Sequence, residues 1–247
     1  MKLGIIGAMA VEVETLKEAM ESLQVSHRCG MEFFDGKLCG LDAVVVQSGV
    51  GKVNAALCVQ VLADCYDVTH VLNTGIAGSL CAELDIGDLV VSRDAMYHDM
   101  DVRVFGYPAG QVPGTESPQF SADPMLIEQA QAAAERIHAG HVRIGRVASG
   151  DQFICTPEQK EAIISLTGAL CTEMEGAAIA HAAWKNHLPF VIIRAISDKA
   201  DNSAEMDYPT FEAQAAQHCA RVTMMVAARL AETNEEKSAA ELPAIQK

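Results

Sequence analysis

The sequence predicts a single α/β domain in which helices cover both faces of a largely parallel sheet. Short apolar runs alternate with longer segments of helical periodicity, which is typical of parallel strands joined by helices. Several of the short runs are apolar at successive positions, as expected for strands that are buried on both faces. The chain has 247 residues, half of them apolar, so it is long enough to bury a substantial core.

The first element, KLGIIGA at residues 2–8, is predicted to be a buried strand, because a secretion signal needs a longer apolar stretch and a cleavage site. Strands are predicted wherever such short apolar, β-rich runs occur, at 2–8, 42–48, 69–75, 87–93, 142–149 and 189–197. Helices are predicted in the longer periodic segments between and after them, at 10–23, 51–65, 124–138, 157–165, 175–187 and 209–232.

Two segments do not fit this alternation. Residues 98–121 have little periodicity and contain several Gly and Pro residues, and a long irregular stretch of this kind is usually functional or lies at an interface. Residues 233–247 lose the apolar period and gain charge, which predicts a disordered C-terminal tail. The folded domain is therefore predicted to span residues 1–232.

Charge and cysteine usage exclude several classes of protein. The net charge of −15, with scattered Lys and Arg residues, argues against a nucleic-acid partner. No run of about 18 uncharged apolar residues is present, so no membrane span is predicted. The eight cysteines form no CxxC pair, so we expect no metal site, and we expect reduced thiols in a cytoplasmic protein.

Three acidic residues follow predicted strands or apolar runs, where open parallel sheets bind their ligands. Glu12 follows the first strand, Glu175 follows the apolar segment GALC, and Asp198 follows PFVIIRAIS. Each also has a structural explanation: a first-turn helix charge, a helix cap and a turn residue, respectively. For Glu175 the cap is specific, because Thr172 and Glu175 match the Ser/Thr-x-x-Glu capping box.

The glycine motifs argue against a nucleotide-phosphate site. GIIGAM is not the G-x-G-x-x-G fingerprint, and GVGKV lacks the spacing and the Ser/Thr of a P-loop. NTGIAGSL at 73–80 is more informative, because its glycines, including Gly78, permit a tight turn that brings backbone amides close to a ligand.

Seven motifs occur in a characteristic order, and together they resemble the 5′-methylthioadenosine/S-adenosylhomocysteine nucleosidase family, a branch of the purine and uridine phosphorylase superfamily. The resemblance covers roughly residues 1–232 and implies a three-layer α/β/α sandwich with a mixed, largely parallel sheet. The motifs are GIIGAM with a following Glu, SGVGKVNAA at 48–56, NTGIAG at 73–78, GD followed by VVS at 87–92, SGDQFI at 149–154, EMEGAAIAH at 173–181 and RAISDKAD at 194–201.

The resemblance implies hydrolysis of the bond between adenine and a 5′-thio-substituted ribose, without a cofactor, as in methionine salvage and the removal of adenosylhomocysteine. Asp198 matches the acid that protonates N7 of adenine, either from a raised pKa or through a proton shared with Ser197. Glu12 matches the residue that deprotonates the attacking water. Glu175 matches the carboxylate that accepts hydrogen bonds from the ribose hydroxyls, and the role of Glu173 stays open.

The resemblance also suggests binding residues. Arg194 matches a residue beside the water, and a salt-bridged strand-end residue is the alternative. Met174 matches the residue packed on the ribose, Phe153 the aromatic that stacks on adenine, and Ile154 the backbone that reads the purine edge. The apolar lining of the thioalkyl pocket matches Met9, Val50 and Tyr208, for which core packing is the alternative.

Val102, Phe105 and Pro113 match a segment lent by a neighbouring subunit, which predicts a homodimer and a purpose for the irregular stretch 98–121. One residue departs from the family pattern. Ile76 stands where the family often has a small hydroxyl residue, which puts the positioning of the water in question.

Three alternatives remain open at this level. A purine nucleoside phosphorylase would need converging arginines for phosphate, and beyond Arg194 none lies at an obvious strand-end turn. An aminodeoxyfutalosine nucleosidase of menaquinone synthesis would differ only in the 5′ pocket. A nucleoside-binding protein without catalysis would need neither an acid nor a base.

Overall fold

The computed structural model describes residues 1–201 and 204–240. Its ten strands are β1 Lys2–Gly7, β2 Met20–Arg28, β3 Met31–Leu38, β4 Leu41–Gln47, β5 His70–Ser79, β6 Leu89–Tyr97, β7 Gln119–Ser121, β8 Val142–Ser149, β9 Cys171–Glu173 and β10 Phe190–Asp198. Its six α-helices are α1 Ala10–Glu18, α2 Lys52–Cys65, α3 Pro124–Ile137, α4 Pro157–Thr167, α5 Gly176–Lys185 and α6 Ala204–Ala240. A single 3₁₀ turn spans Arg103–Phe105.

All ten strands belong to one mixed sheet. Strand β5 pairs in parallel with β1 and with β10, and β1 pairs in parallel with β4. Antiparallel ladders join β10 to β6 and β5 to β9, while β8 lies between β6 and β9 with parallel pairing on both sides. Strands β5, β10, β6, β8 and β9 thereby close into a ring, and β1, β4, β3 and β2 extend from it.

Helices cover both faces of this sheet, which confirms the predicted α/β architecture. Helices α2 and α5 pack on one face through buried side chains such as Leu62 and Ile179. Helices α1, α3 and α6 pack on the other face through Leu16, Leu126 and Val226. In the described ranges, no helix is both long and apolar enough to cross a bilayer.

The largest error of the sequence-based prediction is at residues 19–38. Helix α1 ends at Glu18 instead of residue 23, and β2 and β3 form a hairpin that was not predicted. Strand β2 is the edge of the sheet and most of its side chains are exposed, so its sequence lacks the apolar alternation of a half-buried strand. Cys29-Gly30 and Cys39-Gly40 form two-residue turns with positive φ throughout, as hairpin loops of this length require.

The irregular segment 98–121 is confirmed, apart from the 3₁₀ turn and the short strand β7, which pairs with β6. Helix α6 continues to Ala240, beyond the predicted domain boundary at residue 232. The remainder of the predicted tail, residues 241–247, lies outside the described residues, so its disorder stays a prediction.

Candidate active site

A cleft opens at the carboxyl ends of the parallel strands β1, β5 and β10, where short β9 also ends. Its position follows from the sheet, because each of these strands delivers the residues just after or at its end to the same edge. The cleft is lined by Ala8, Met9, Glu12, Val50, Ile76, Ala77, Gly78, Phe153, Thr172, Glu173, Met174, Glu175, Ser197, Asp198 and Tyr208.

Glu12 lies in the first turn of α1, directly after β1, and its side chain is almost completely buried. Its Oε2 accepts hydrogen bonds from the backbone N–H groups of Ala8 (2.7 Å) and Met9 (3.0 Å), and its Oε1 accepts one from the N–H of Ile76 (3.1 Å). Burial raises the pKa of Glu12, while the Arg194 charge and the three backbone donors oppose that rise. A carboxylate with a raised pKa in a fixed position suits a general base.

Asp198 ends β10 and is also buried. Its Oδ1 accepts a hydrogen bond from the N–H of Ala200 (2.8 Å), and its Oδ2 accepts one from the Ser197 hydroxyl (2.8 Å). Burial raises the pKa of Asp198, and these two hydrogen bonds act in the opposite direction. Asp198 is thus more easily protonated than an exposed aspartate, and Ser197 is within reach of the same proton.

Glu175 is the N-cap residue of α5, and its carboxylate does not cap that helix. Its Oε1 accepts a hydrogen bond from the N–H of Gly51 (2.8 Å), at the start of α2. Glu173 supplies the cap instead, because its Oε2 accepts hydrogen bonds from the N–H groups of Glu175 (3.1 Å) and Gly176 (2.7 Å). The capping-box alternative is therefore wrong, and the Thr172 hydroxyl is buried without a hydrogen-bond partner in the described part of the chain.

Arg194 is a buried cation that lies among the buried carboxylates of Glu12, Glu173 and Glu175. Its Nη2 donates to Asn73 Oδ1 (2.6 Å) and to Glu173 Oε2, and it lies 3.8 Å from Glu175 Oε2. The Ser149 hydroxyl donates a hydrogen bond to the other carboxylate oxygen of Glu173, Oε1. Arg194 opposes the effects of burial and of the neighbouring Glu173, which together raise the pKa of Glu175 to about 7.

Two of these partners were not predicted from the sequence. Asn73 and Ser149 begin the motifs NTGIAG and SGDQFI, but nothing local distinguishes their side chains from those of ordinary turn residues. Only the pairing of β5 and β9 with their neighbours brings them to Arg194 and Glu173.

Glycines make the close approach of these groups feasible. A Cβ at Gly75 would collide with the Arg194 guanidinium and the Glu12 carboxylate, which meet above it. A Cβ at Gly78 would lie 2.8 Å from Asp198 Oδ1 and 2.9 Å from the Cβ of Ala200. Strand β5 can therefore pass beneath both carboxylates only with glycine at these positions.

The apolar residues expected around the substrate lie at the mouth and walls of the cleft. The Tyr208 hydroxyl lies 3.1 Å from Glu212 Oε1 and 3.2 Å from Met9 Sδ, and its ring packs edge-on against Phe153 with ring centroids 5.5 Å apart. Phe153 and Val50 are about half exposed. Ile76 lines the cleft, and its backbone N–H donates to Glu12.

Ile154 is buried in a small apolar cluster with Ala148 and Ala200, beside the part of the cleft that Asp198 lines. By contrast, Val102, Phe105 and Pro113 do not line the cleft of their own chain. Phe105 is 76% exposed at the 3₁₀ turn. A single chain thus brings together every predicted cleft residue except these three and the buried Arg194 and Ile154, which lie next to it.

Comparison with known proteins gives concordant results. A model of the phosphorylase superfamily matches residues 2–229. The 5′-methylthioadenosine/S-adenosylhomocysteine nucleosidase of Geobacillus kaustophilus (strain HTA426) is 41% identical over 225 residues, which cover 91% of this chain and 95% of that protein.

Solved structures are similar over almost the whole chain. The 5′-methylthioadenosine/S-adenosylhomocysteine nucleosidase of Neisseria meningitidis, in complex with methylthio-immucillin-A, superposes with a TM-score of 0.90 at 36% identity, covering 92% of this chain and 99% of that one. The native futalosine hydrolase of Helicobacter pylori strain 26695 superposes with a TM-score of 0.86 at 32% identity, covering 91% and 96%.

Proposed function

This chain belongs to the 5′-methylthioadenosine/S-adenosylhomocysteine nucleosidases of the phosphorylase superfamily, and from this membership and the cleft we propose how it releases adenine. It is an N-glycosyl hydrolase that cleaves the bond between adenine and the thioribose of methylthioadenosine and adenosylhomocysteine. The observation that carries the assignment of residues is the convergence of three buried carboxylates, Glu12, Glu175 and Asp198, on one cleft.

In the proposed mechanism Asp198 is the general acid. Cleavage of an N-glycosidic bond leaves negative charge on the purine, and a proton delivered to N7 neutralises it. The raised pKa of Asp198 supports this role, because the carboxyl retains its proton at a higher pH than an exposed aspartate would. The Ser197 hydroxyl, hydrogen-bonded to Oδ2, orients the carboxyl and can relay the proton.

Glu12 is the proposed general base for the attacking water. Three backbone donors fix its carboxylate, and the rigid placement supports selection of one water position. The side chain of Ile76 offers no hydroxyl to that water, so Glu12 and the neighbouring backbone carry the positioning. Arg194 favours the ionised form of Glu12, because its charge opposes the effect of burial, which raises the Glu12 pKa.

Glu175 is proposed to accept hydrogen bonds from the ribose 2′- and 3′-hydroxyls. Its charge also stabilises the positive charge that develops on the ribose in the transition state. Glu173 has a different proposed role, because its oxygens are occupied by Arg194, Ser149 and the first amides of α5. We therefore regard Glu173 as a positioning residue for Glu175 and Arg194.

Water, rather than phosphate, is the proposed nucleophile. In the described ranges no lysine or arginine lines the cleft, and the adjacent Arg194 is already paired with Asn73 and Glu173. A phosphate site would need several free donors of this kind. The same carboxylates argue against a binding protein without catalysis, because binding alone needs no acid and base.

The test is adenine release from methylthioadenosine in phosphate-free buffer. We expect full turnover without phosphate and no 5-methylthioribose 1-phosphate product when phosphate is added. Turnover that requires phosphate would contradict the hydrolytic assignment, and turnover by Glu12→Gln at the wild-type rate would contradict the assignment of the base.

Aminodeoxyfutalosine is the second candidate substrate, favoured by the structural similarity to the Helicobacter pylori futalosine hydrolase. The reacting groups would be the same, and only the 5′ pocket around Met9, Val50 and Tyr208 would discriminate. Comparison of kcat/KM for methylthioadenosine, adenosylhomocysteine and aminodeoxyfutalosine tests this, and a preference for the last would reassign the physiological substrate.

We further propose a cytoplasmic homodimer that acts in methionine salvage. The open mouth of the cleft at Phe153 and Val50, and the exposed Val104 and Phe105 on the irregular segment, support exchange of this segment between subunits. Val102, Phe105 and Pro113 of one subunit would then close the thioalkyl end of the other subunit's cleft.

A further inference from the structure

A cluster of histidines lies outside the catalytic cleft, where the start of β6, the end of α3 and the start of β8 meet. Asp88 immediately precedes β6, His138 is the C-cap residue of α3, and His141 immediately precedes β8. Each of the three offers one ligand atom, and these atoms all lie within 4.8 Å of one another. None of the three residues lines the cleft.

The carboxylate of Asp88 is already oriented. Its Oδ2 accepts a hydrogen bond from the N–H of Asp85 (2.8 Å), which leaves Oδ1 directed at His141 Nδ1, 2.8 Å away. The His138 ring stacks on the His141 ring with centroids 4.3 Å apart. His141 is about half exposed, so its ring has room to rotate, while Asp88 is buried.

We propose that Asp88, His138 and His141 form a binding site for a divalent cation of the zinc class. Two ligands bonded at about 2.0–2.1 Å to a tetrahedral ion are about 3.3 Å apart. Asp88 Oδ1 and His141 Nδ1 are 2.8 Å apart, so a small separation of these two atoms would let the cation replace the hydrogen-bonded proton between them. His138 would have to approach by roughly 1–1.5 Å to complete the site, a shift within the reach of side-chain rotation.

The donor set decides the class of cation. Two imidazole nitrogens and one carboxylate oxygen suit Zn²⁺ and its neighbours, whereas Mg²⁺ and Ca²⁺ prefer sites made of oxygen alone. Three protein ligands leave one coordination position for water.

His218 on α6 is a further nitrogen donor beside this group. Its ring centroid lies 5.6 Å from that of His138, and its buried Nδ1 makes no hydrogen bond in the described part of the chain. A metal-bound histidine commonly donates its non-coordinating ring N–H to a neighbouring acceptor that orients it, and His218 Nδ1 is such an acceptor beside His138. The sequence predicted no metal site here, because that prediction rested on cysteine spacing and this site contains no cysteine. Asp88 is also fifty residues from His138 along the chain.

The alternative is a hydrogen-bonded pair of Asp88 and His141 with His138 stacked on it and no metal ion. Titration of the metal-free, full-length protein with Zn²⁺, followed by calorimetry and by metal analysis after gel filtration, separates the two. We expect one equivalent to bind to the wild type, and at least a tenfold loss of affinity in the double variant His138→Ala/His141→Ala. The matched control, His27→Ala/His187→Ala, removes two exposed histidines elsewhere and should retain that equivalent.

Cobalt(II) identifies the ligands independently of affinity. We expect visible d–d bands of a nitrogen and oxygen site, without thiolate-to-metal charge-transfer bands from exposed cysteines such as Cys29 and Cys39. Zn²⁺ should also raise the Tm of the wild type and not that of the double variant, while adenine release by the two stays equal. Absence of binding, equal binding by the double variant, or thiolate bands alone would each overturn the proposal.

Discussion

At the level of single residues, burial changes what the three cleft carboxylates can do. Glu12, Glu175 and Asp198 are each less than one-tenth exposed, and burial is the largest influence raising the pKa of each. They differ in what opposes that influence: backbone amides and Arg194 for Glu12, Arg194 and one amide for Glu175, and Ser197 with one amide for Asp198. These local differences support the proposal that three carboxyl groups serve separately as base, ribose ligand and acid.

Replacement of the acid and of the base should have separable effects. Asp198→Asn and Glu12→Gln should each lower kcat for methylthioadenosine by about 10²–10⁴-fold, the usual contribution of one proton-transfer group. The 4-nitrophenyl O-glycoside of 5-methylthioribose distinguishes the two variants, because its nitrophenolate leaving group needs no proton. Asp198→Asn should cleave this substrate at close to the wild-type rate, and Glu12→Gln should not. Equal losses for the two variants would contradict the assigned roles.

The Glu175 carboxylate should make stability depend on pH. Its pKa is about 7 in the folded protein against an ordinary value of 4.5, so the folded state binds more protons between these values. The stabilisation is therefore complete below about pH 4.5 and is lost as pH rises through about 7.

The variant Glu175→Gln lacks this titration. Its Tm should match that of the wild type near pH 4.5 and exceed it by several degrees at pH 8. Differential scanning calorimetry across this range provides the measurement, and Glu14→Gln, an exposed acid on α1, is the control. A Tm difference that is independent of pH would show that Glu175 does not titrate in this window.

At the level of elements, the site depends on how closely the β5 backbone approaches side chains of α1 and of its neighbouring strand β10. Gly75 lies on β5 under the meeting point of Arg194 and Glu12, and Gly78 lies under Asp198. The same strand donates the Ile76 N–H to Glu12, and its Asn73 side chain accepts from Arg194. One strand thus fixes the base, the buried cation and the acid relative to each other.

Gly75→Ala should disrupt this arrangement. The added methyl would displace the Glu12 carboxylate or the Arg194 guanidinium, and a displacement of about 1 Å commonly costs about 10²-fold in rate. We expect kcat for adenine release to fall by at least that factor. Gly4→Ala on β1 is the control, because its Cβ would press on Leu62 in the core and on no charged group. That variant should lose stability and keep its kcat.

At the level of the whole molecule, one chain provides the proposed reacting groups and leaves the cleft open at the proposed thioalkyl end. Val50 and Phe153 are about half exposed there, and Val104 and Phe105 project from an irregular segment at 86% and 76% exposure. Exposed apolar side chains grouped in this way are typical of an interface between proteins.

Phe105→Lys should therefore weaken the proposed homodimer and raise the KM for methylthioadenosine, because a charge would have to be buried between subunits. Analytical ultracentrifugation and kinetics on the same sample test both effects. Val25→Lys, on the exposed edge strand β2, is the matched control and should change neither. A dimer that is unaffected by Phe105→Lys would place the interface elsewhere.

The sequence by itself determined the fold class and the three cleft carboxylates. Apolar periodicity is a local property, and it marked β1, β4 and β8 almost to the residue. The rule that ligands bind at strand ends then singled out Glu12, Glu175 and Asp198. The same reasoning failed for β2, because an exposed edge strand carries no apolar alternation to detect, and β3, its hairpin partner, was missed with it.

Only the tertiary structure decided which groups meet. Asn73 and Ser149 reach the Arg194–Glu173 pair through strand pairing, and Asp88 reaches His138 and His141 because β6 and β8 start side by side. The tertiary structure also showed that both Glu173 and Glu175 line the cleft, and that Glu173, rather than Glu175, caps α5. These contacts join residues whose separation along the chain carries no information on their distance in space, so no local pattern could have predicted them.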